Sequence, residues 1–404
     1  MIRDVVENVT MEDGPKTLLP EESQRGAEPS SLCARDTCII YIHGNQWDGV
    51  PARQRYLMEE MAAYADVYFI EEAEDRRWSV TWRQVDRHVW VIRGLMPMWV
   101  RFNRRRWTAA QCVSARIHLR RLRKSYRRII LWDAENWLRS YRFVPHDLFI
   151  YDCIDPCFSD DKRELDEFED RDRELVKRAD IVFASAGLLK EKCEADGRRV
   201  VLLNNACAPG EYCAELVNAA ERPKWWPQTE QPVASYLGTI DARFDCDMAF
   251  HVCRELPEVA FVIAGQVLSA QERDVERLRS LENVVVPGRV SVEDGRYMFK
   301  HSSVGIIPFK AGDMNDAINP VKMYAYAYLG KMVVGTNVRE IAGATAIAKA
   351  ARDAQEFVEY IRIAIADRND SAQAQRRRDF ALENTWKQRA AGAWSEIEQC
   401  LGAL

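Results

Sequence analysis

Short runs in which every residue is apolar recur along the chain and alternate with helical patterns, and this rhythm leaves few folds open. The first is CIIYIH (Cys38–His43), followed by VYFI (Val67–Ile70), VWVI (Val89–Ile92), IILW (Ile129–Trp132), LFIY (Leu148–Tyr151), IVFA (Ile181–Ala184) and VVLL (Val200–Leu203). Successive side chains of a strand point to opposite faces, so a wholly apolar run of this length is a strand covered on both sides. Helical patterns are expected around Arg53–Tyr64, Ala109–Lys124, Asp161–Arg178 and Leu188–Asp196. Doubly buried strands alternating with helices predict a parallel sheet with helices on both faces.

The rhythm breaks at AERPKWWPQTEQP (Ala220–Pro232), which holds three prolines, and then restarts with VASYLG, FVIAG, VVVPG, VGIIP and MVVG (Met332–Gly335). This predicts an α/β protein of two doubly wound, Rossmann-like domains facing each other across a cleft. The expected boundaries are a polar tail over 1–35, an N-terminal domain over 36–219 and a linker over 220–232. A C-terminal domain follows over 233–370, and helices over 371–404 cross back. At 404 residues and 47% hydrophobic content, two full cores are affordable. The net charge of −5 argues against a generic nucleic-acid binder. No apolar run approaches the roughly 18 residues of a spanning helix, and the N-terminus lacks the basic and apolar regions of a secretory signal. Eleven cysteines without a CxxC pair read as free thiols, which predicts a cytoplasmic protein.

Ligands of open α/β sheets sit beyond the carboxyl ends of the strands. VASYLG ends at Gly238 and opens into Thr239-Ile240-Asp241-Ala242-Arg243, where glycine admits close backbone approach and Arg243 offers a bidentate phosphate contact. After VGIIPF comes KAGDMNDAINPVKMYAYAYLGK. Here Asn319-Pro320 reads as N-cap and first helical residue, Lys322 adds a charge in the first turn and Gly330 closes the helix. A helix N-terminus with a lysine is an anion site, so the segment predicts a diphosphate cradle; a plain β-α-β unit with a surface lysine is the other reading.

NPVKMYAYAYLGKMVVGT resembles the nucleotide-sugar-binding helix of bacterial GT-B glycosyltransferases, in the neighbourhood of family 4. YLGTIDARFD resembles the first strand and loop of their donor domain, and NVVVPGRVSVEDGRYMFKHSSVGIIPF their later strand–helix–strand stretch. HGNQWDGVPARQRYLMEEMA resembles the first strand–loop–helix of their acceptor domain, which makes His43, Trp47 and Asp48 acceptor-side candidates. Retaining members usually carry two glutamates separated by seven residues, the second gripping the donor ribose; the matching positions here are Ala317 and Ala325. The pattern is closer to the inverting glucuronosyltransferase of xanthan assembly. That resemblance implies Lys322 on the diphosphate, Arg289 and Val290 flanking the base, and Phe309 near the donor; Gly238, Arg243 and Asn319, from the strand end and helix start above, and Met323 beside Lys322 complete the expected donor set.

YDCID (Tyr151–Asp155) resembles the segment of that enzyme carrying its catalytic aspartate, with Asp155 at the matching position. A carboxylate just past a strand end is placed to take a proton from an acceptor hydroxyl; a turn-capping role before Pro156 is the alternative. From Arg87 to Trp132 the chain has no Asp or Glu while Arg and Lys recur among Met96, Met98, Trp99, Phe102 and Trp107. Such a surface suits peripheral contact with an anionic membrane at the inner face, and a solvated helix face or RNA binding are the competing readings. Asp245-Cys246-Asp247 sits where a helix should begin, so capping accounts for it, and no histidine pair has metal-ligand spacing. The expectation is a metal-independent, cofactor-free transferase moving a sugar from a nucleotide diphosphate donor, UDP in the leading case, to a lipid-linked or saccharide acceptor. A non-catalytic GT-B partner subunit and a GT-B sugar-nucleotide epimerase are the alternatives.

Overall fold

The computed structural model describes residues 35–43, 45–73, 80–97, 117–135, 139–157, 161–195 and 199–403. All but the last residue of the tail expected over 1–35, and residues 98–116 of the basic stretch, lie outside them. The first sheet contains β1 (Thr37–Ile42), β2 (Asp66–Ala73), β3 (Thr81–Asp86), β4 (Val89–Pro97), β5 (Arg128–Asp133), β6 (Leu148–Cys153), β7 (Ile181–Ala184) and β8 (Val200–Leu202). Its strand order is β3-β4-β2-β1-β5-β6-β7-β8. The apolar runs are covered on both faces: Ile39 and Tyr41 pack in one cluster with Phe69, Trp132 and Phe183, and Cys38, Ile40 and Ile42 in another with Tyr68, Leu131 and Phe149.

One strand departs from the parallel expectation. β3 pairs antiparallel with β4 at the sheet edge, and its sequence TWRQVD is exposed or half-buried throughout. An edge strand needs only one covered face, so it carries no continuous apolar run.

The second sheet has β9 (Val233–Leu237), β10 (Ala260–Ala264), β11 (Val284–Gly288), β12 (Val304–Ile307), β13 (Met332–Thr336) and β14 (Ala348–Ala351), ordered β11-β10-β9-β12-β13-β14 and parallel throughout. In both sheets the order reverses beside the first strand, which opens a crevice at β1/β5 and at β9/β12.

The helices used below are α1 (Arg53–Met61), α2 (Lys162–Arg178), α3 (Gly187–Glu194), α4 (Cys246–Glu255), α5 (Glu272–Arg279), α6 (Val292–His301), α7 (Val321–Tyr328), α8 (Arg339–Gly343), α9 (Ala354–Ala366), α10 (Ser371–Glu383) and α11 (Trp386–Ala403). Ala220–Pro232 forms neither helix nor strand, yet Trp226 is buried against β9, β10 and α6. The chain returns at its end. α10 packs on α7 in the second half, and α11 lays Trp386, Ala390, Ala393 and Ile397 into the core of the first.

The two halves are clasped below the cleft. Glu340, on α8, accepts from the Gly187 N–H that opens α3 (2.8 Å), from Asn204 Nδ2 (3.1 Å) and from Asn319 Nδ2 (2.7 Å). Arg339 pairs with Glu191 on α3 at 2.7 Å, and Asn205 Nδ2 donates to the Asn319 carbonyl at 2.6 Å. Ala317 is fully buried within the core cluster of the first half.

Candidate active site

The carboxyl end of β9 builds the donor side. Gly265 ends β10 with φ +140°, and a Cβ there would lie 1.9 Å from the Gly238 carbonyl oxygen. Neither backbone can move apart without breaking the adjoining strands, so this position requires glycine. On the other side of Gly238 a Cβ would meet Lys322 Nζ at 2.6 Å. The lysine thus lies directly on the glycine turn, which is the space a phosphate would approach.

Lys322 Nζ sits 4.0 Å from the Tyr236 ring centroid and 5.2 Å from that of Phe309. Among the described residues it makes no ion pair. Burial, reinforced by the neighbouring Arg243 charge and opposed by Asp241, pushes its pKa down to about 7. A cation held against aromatic faces without a counter-ion is costly unless an anion arrives. Arg243 is tied to Asp241, its Nε 3.0 Å from both carboxylate oxygens. Burial pushes the Asp241 carboxyl up, but those hydrogen bonds and the Arg243 charge outweigh it and hold the group below its ordinary value.

Several donor-side expectations change. α7 begins at Val321 with Pro320, in extended conformation, as its N-cap. Asn319 is therefore one residue too early to cap: its side chain donates to Glu340 and accepts from Tyr324 Oη at 3.2 Å. Met323 is buried in the second core, because one step along a helix turns a side chain about 100° from Lys322. At the far end Gly330, φ +75°, donates to Ala327 and Lys331 donates to Tyr326, so the glycine closes the helix as its sequence implies. Asp245 caps α4, its side chain accepting from the Met248 N–H.

Behind Gly238 lies a cavity of about 380 Å³ lined by Gly238, Thr239, Gly265, Gln266, Arg289 and Val290, with Glu211, Tyr212, Val50, Pro51 and Tyr56 opposite. Gly238, Arg289 and Val290 are thus brought together. Tyr56 and Tyr212, which sequence reasoning missed, come from α1 and from the turn Pro209–Tyr212 between the halves.

The acceptor side is built on β1, β5 and β6. Asp155, past the end of β6, is exposed at the rim of a hollow it shares with Pro156, Arg173 and Lys192 of its own half. Desolvation raises its pKa, while Arg243 and Arg53 pull it down and Asp152 pushes it up. Asp155 thus feels the Arg243 charge of the opposite half. Asp152 is no candidate base: it is 1% exposed and pairs with Arg53 Nη2 at 2.9 Å. Arg53 also reaches the Leu203 carbonyl (2.8 Å) and Asn205 Oδ1 (3.2 Å), so the pair helps position the clasp.

Among the other acceptor-side candidates, Trp47 is 5% exposed, packed edge-on against Phe69 with its backbone N–H donating to the buried Glu71. It is a core residue, since its side chain turns inward under α1. Asp48 stays exposed and pairs with Arg83 of the edge strand at 2.5 Å. His43 is held neutral, burial pushing its pKa down to about 4. Its Nδ1 accepts from the Asn45 N–H (2.9 Å), so the ring proton sits on Nε2, which faces the Gln54 amide at 2.8 Å. Gln54 Oε1 is buried and otherwise unpartnered, and an amide turned toward Nε2–H satisfies both groups.

No protein-family model matches the chain. Sucrose-phosphate synthase from Thermosynechococcus elongatus superposes with a TM-score of 0.69 at 13% identity, covering 91% of this chain and 100% of that one. The E. coli structure of trehalose-6-phosphate bound with UDP-2-fluoro glucose gives 0.66 at 10% identity over 90% and 99%. An α,α-trehalose-phosphate synthase (UDP-forming) from Burkholderia vietnamiensis gives 0.65 at 13% over 91% and 98%. The fold is GT-B. A curated Bacillus subtilis (strain 168) protein, "Putative teichuronic acid biosynthesis glycosyltransferase TuaH", is 26% identical over 207 residues, 48% of this chain and 51% of that protein. The chain therefore spans about half the length of the curated relative it matches.

The GT-B arrangement explains why the residues gather where they do. Two doubly wound sheets direct their carboxyl edges into one crevice, which brings Gly238, Lys322 and Arg243 from one half toward Asp155 from the other. Among the described residues no cluster of His, Cys, Asp or Glu has the arrangement of a metal site, and no helix is long and apolar enough to cross a membrane.

Proposed function

We propose that this chain is a glycosyltransferase that moves a sugar from a nucleoside diphosphate donor to a saccharide or lipid-linked acceptor in cell-surface polysaccharide synthesis. The observation that carries the reading is Lys322: an ammonium seated on the glycine turn, backed by aromatic rings and without an ion-pair partner among the described residues. A diphosphate supplies the missing counter-ion, and Arg243 stands ready to share it. As the sugar–phosphate bond breaks, charge grows on the leaving diphosphate, and these two cations stabilise it. Asp155 takes the proton of the attacking hydroxyl, its raised pKa making it the stronger base. The cations do the work that a metal would otherwise do, so divalent ions are not required.

The teichuronic acid biosynthesis in the B. subtilis relative's name supports a polysaccharide setting, and the UDP in the titles of the structural neighbours supports a UDP donor. Peripheral contact at the inner membrane face is supported by the exposed Ile117, Arg120, Arg121, Lys124 and Arg127 at the end of the basic stretch. The partner-subunit alternative draws on Ala317 and Ala325, both buried alanines where a retaining enzyme of this kind would carry its glutamates. A thermal-shift screen of UDP-, GDP- and ADP-sugars with and without chelator tests the reading. A shift with one nucleotide family that survives chelator, followed by donor turnover, supports it; shifts without any turnover favour the partner subunit.

A further inference from the structure

A nucleoside seated behind Gly238 presents the cis-diol of its ribose, two hydroxyl donors on neighbouring carbons. The side chain suited to accept from both is a carboxylate, whose two oxygens offer about four lone-pair sites. Among the described residues lining that cavity, Glu211 is the one carboxylate.

Its setting is unusual for a surface acid. Glu211 lies in the turn Pro209–Tyr212, between the last strand of the first sheet and the second half, yet it is gripped by Arg296 of α6. Arg296 Nε donates to the Glu211 carbonyl at 2.9 Å and Nη2 to Oε2 at 2.5 Å. Both side chains are largely covered, 22% exposed for Glu211 and 14% for Arg296. Oε1 makes no hydrogen bond among the described residues. The carboxylate is thus fixed through one oxygen and leaves the other available. Arg296 rises from the helix that starts just after Val290, so the wall beside the base and the acid opposite share one support.

We propose that Glu211 accepts the ribose hydroxyls of the donor nucleotide. This rests on the donor-site reading above and adds to it a residue from outside the donor domain. Binding then adds a second tie between the inter-half turn and the donor half, beside the grip that Arg296 already provides.

The test is calorimetric titration of the full chain with UDP, GDP and ADP and their 2′-deoxy counterparts. The unmodified chain should bind one ribonucleotide about tenfold or more tighter than its deoxy form, the scale of a hydrogen bond to a charged group. Glu211→Gln should weaken the ribonucleotide by a similar factor and shrink the discrimination to about twofold. Arg296→Ala, which removes the grip but keeps the acid, should retain most of the discrimination. Equal affinity for ribo and deoxy forms in the unmodified chain overturns Glu211 while leaving the donor site standing. Discrimination that survives Glu211→Gln, or vanishes fully in Arg296→Ala, also overturns it, since the acid would then be only a strut. Failure of every nucleotide to bind overturns the donor site itself.

Discussion

Replacing Lys322 with methionine tests the centre of the reasoning, because the lysine's environment makes a prediction about protons as well as affinity. With its pKa near 7, about nine-tenths of the molecules carry the ammonium at pH 6, about half at pH 7 and about a tenth at pH 8. A diphosphate binds the charged form, so one lysine must be fully protonated in the complex. Binding should therefore take up roughly 0.1 proton at pH 6, 0.5 at pH 7 and 0.9 at pH 8, and the lysine alone should weaken apparent affinity about tenfold from pH 6 to pH 8. Lys322→Met removes a charge-assisted contact worth about 1.5–3 kcal/mol, so at pH 6 its nucleotide Kd should rise at least about tenfold. The assay is calorimetry with UDP in two buffers of different ionisation enthalpy, which reports proton uptake directly; the ligand's own titration is common to both proteins and subtracts. Stability runs the other way. The unfolded lysine titrates near its ordinary 10.5, so between about pH 7 and 10 the unfolded chain binds more protons, and the ligand-free fold weakens as pH falls through that window. Lys322→Met should remove that slope and raise the melting temperature of the free protein at pH 7. A variant with unchanged Kd at pH 6, or with the same pH-dependent proton uptake as the unmodified chain, would refute the assignment.

Asp155→Asn should lower turnover by about 10²–10⁴-fold while leaving nucleotide affinity unchanged, measured by steady-state kinetics beside titration. Asp152→Asn should instead cost stability, about 3–5 kcal/mol in denaturant unfolding, because it strips the buried Arg53 of its partner; a fully stable variant would contradict the pairing. Asp133, at the end of β5, is pushed up to about 8 chiefly by burial, against hydrogen bonds from Ser140 and the Glu135 N–H. Its folded pKa is raised, so the stability it lends is present below about pH 4 and is lost as pH rises through 8. Asp133→Asn should flatten that decline and raise the melting temperature more at pH 8 than at pH 5.5.

The fold was legible wherever burial is two-sided. β7, β10 and β12 are continuous apolar runs, and β5, β6, β9 and β13 nearly so, because both faces of each meet core. The elements that escaped lie at the sheet edges: β3 covers only one face, and β14, AKAA, is held by pairing with β13 although alanine has little preference for strands. At the site, Gly238 and Lys322 were legible because glycine and a helix-start lysine leave local signatures. Glu211, Tyr56 and Tyr212 were not, since nothing local marks residues that reach the cavity only through the packing of one half against the other. Trp47 shows the converse: a loop aromatic reads as a ligand contact until packing turns it inward. Asn319 was placed one residue off because its partner, Glu340, lies 21 positions away.

The return of α11 to the first half has a consequence for how such a molecule could be recombined. The donor half occupies an interior stretch of the chain, with joints near Ala220–Pro232 and again near Asn384. A graft at the first joint alone would replace α11 along with the donor sheet, leaving Leu57, Met58 and Met61 of α1 without their cover. Exchange of donor domains, whether by design or by gene shuffling, therefore needs two crossovers, and chimaeras that preserve α11 with its own first sheet should be the soluble ones.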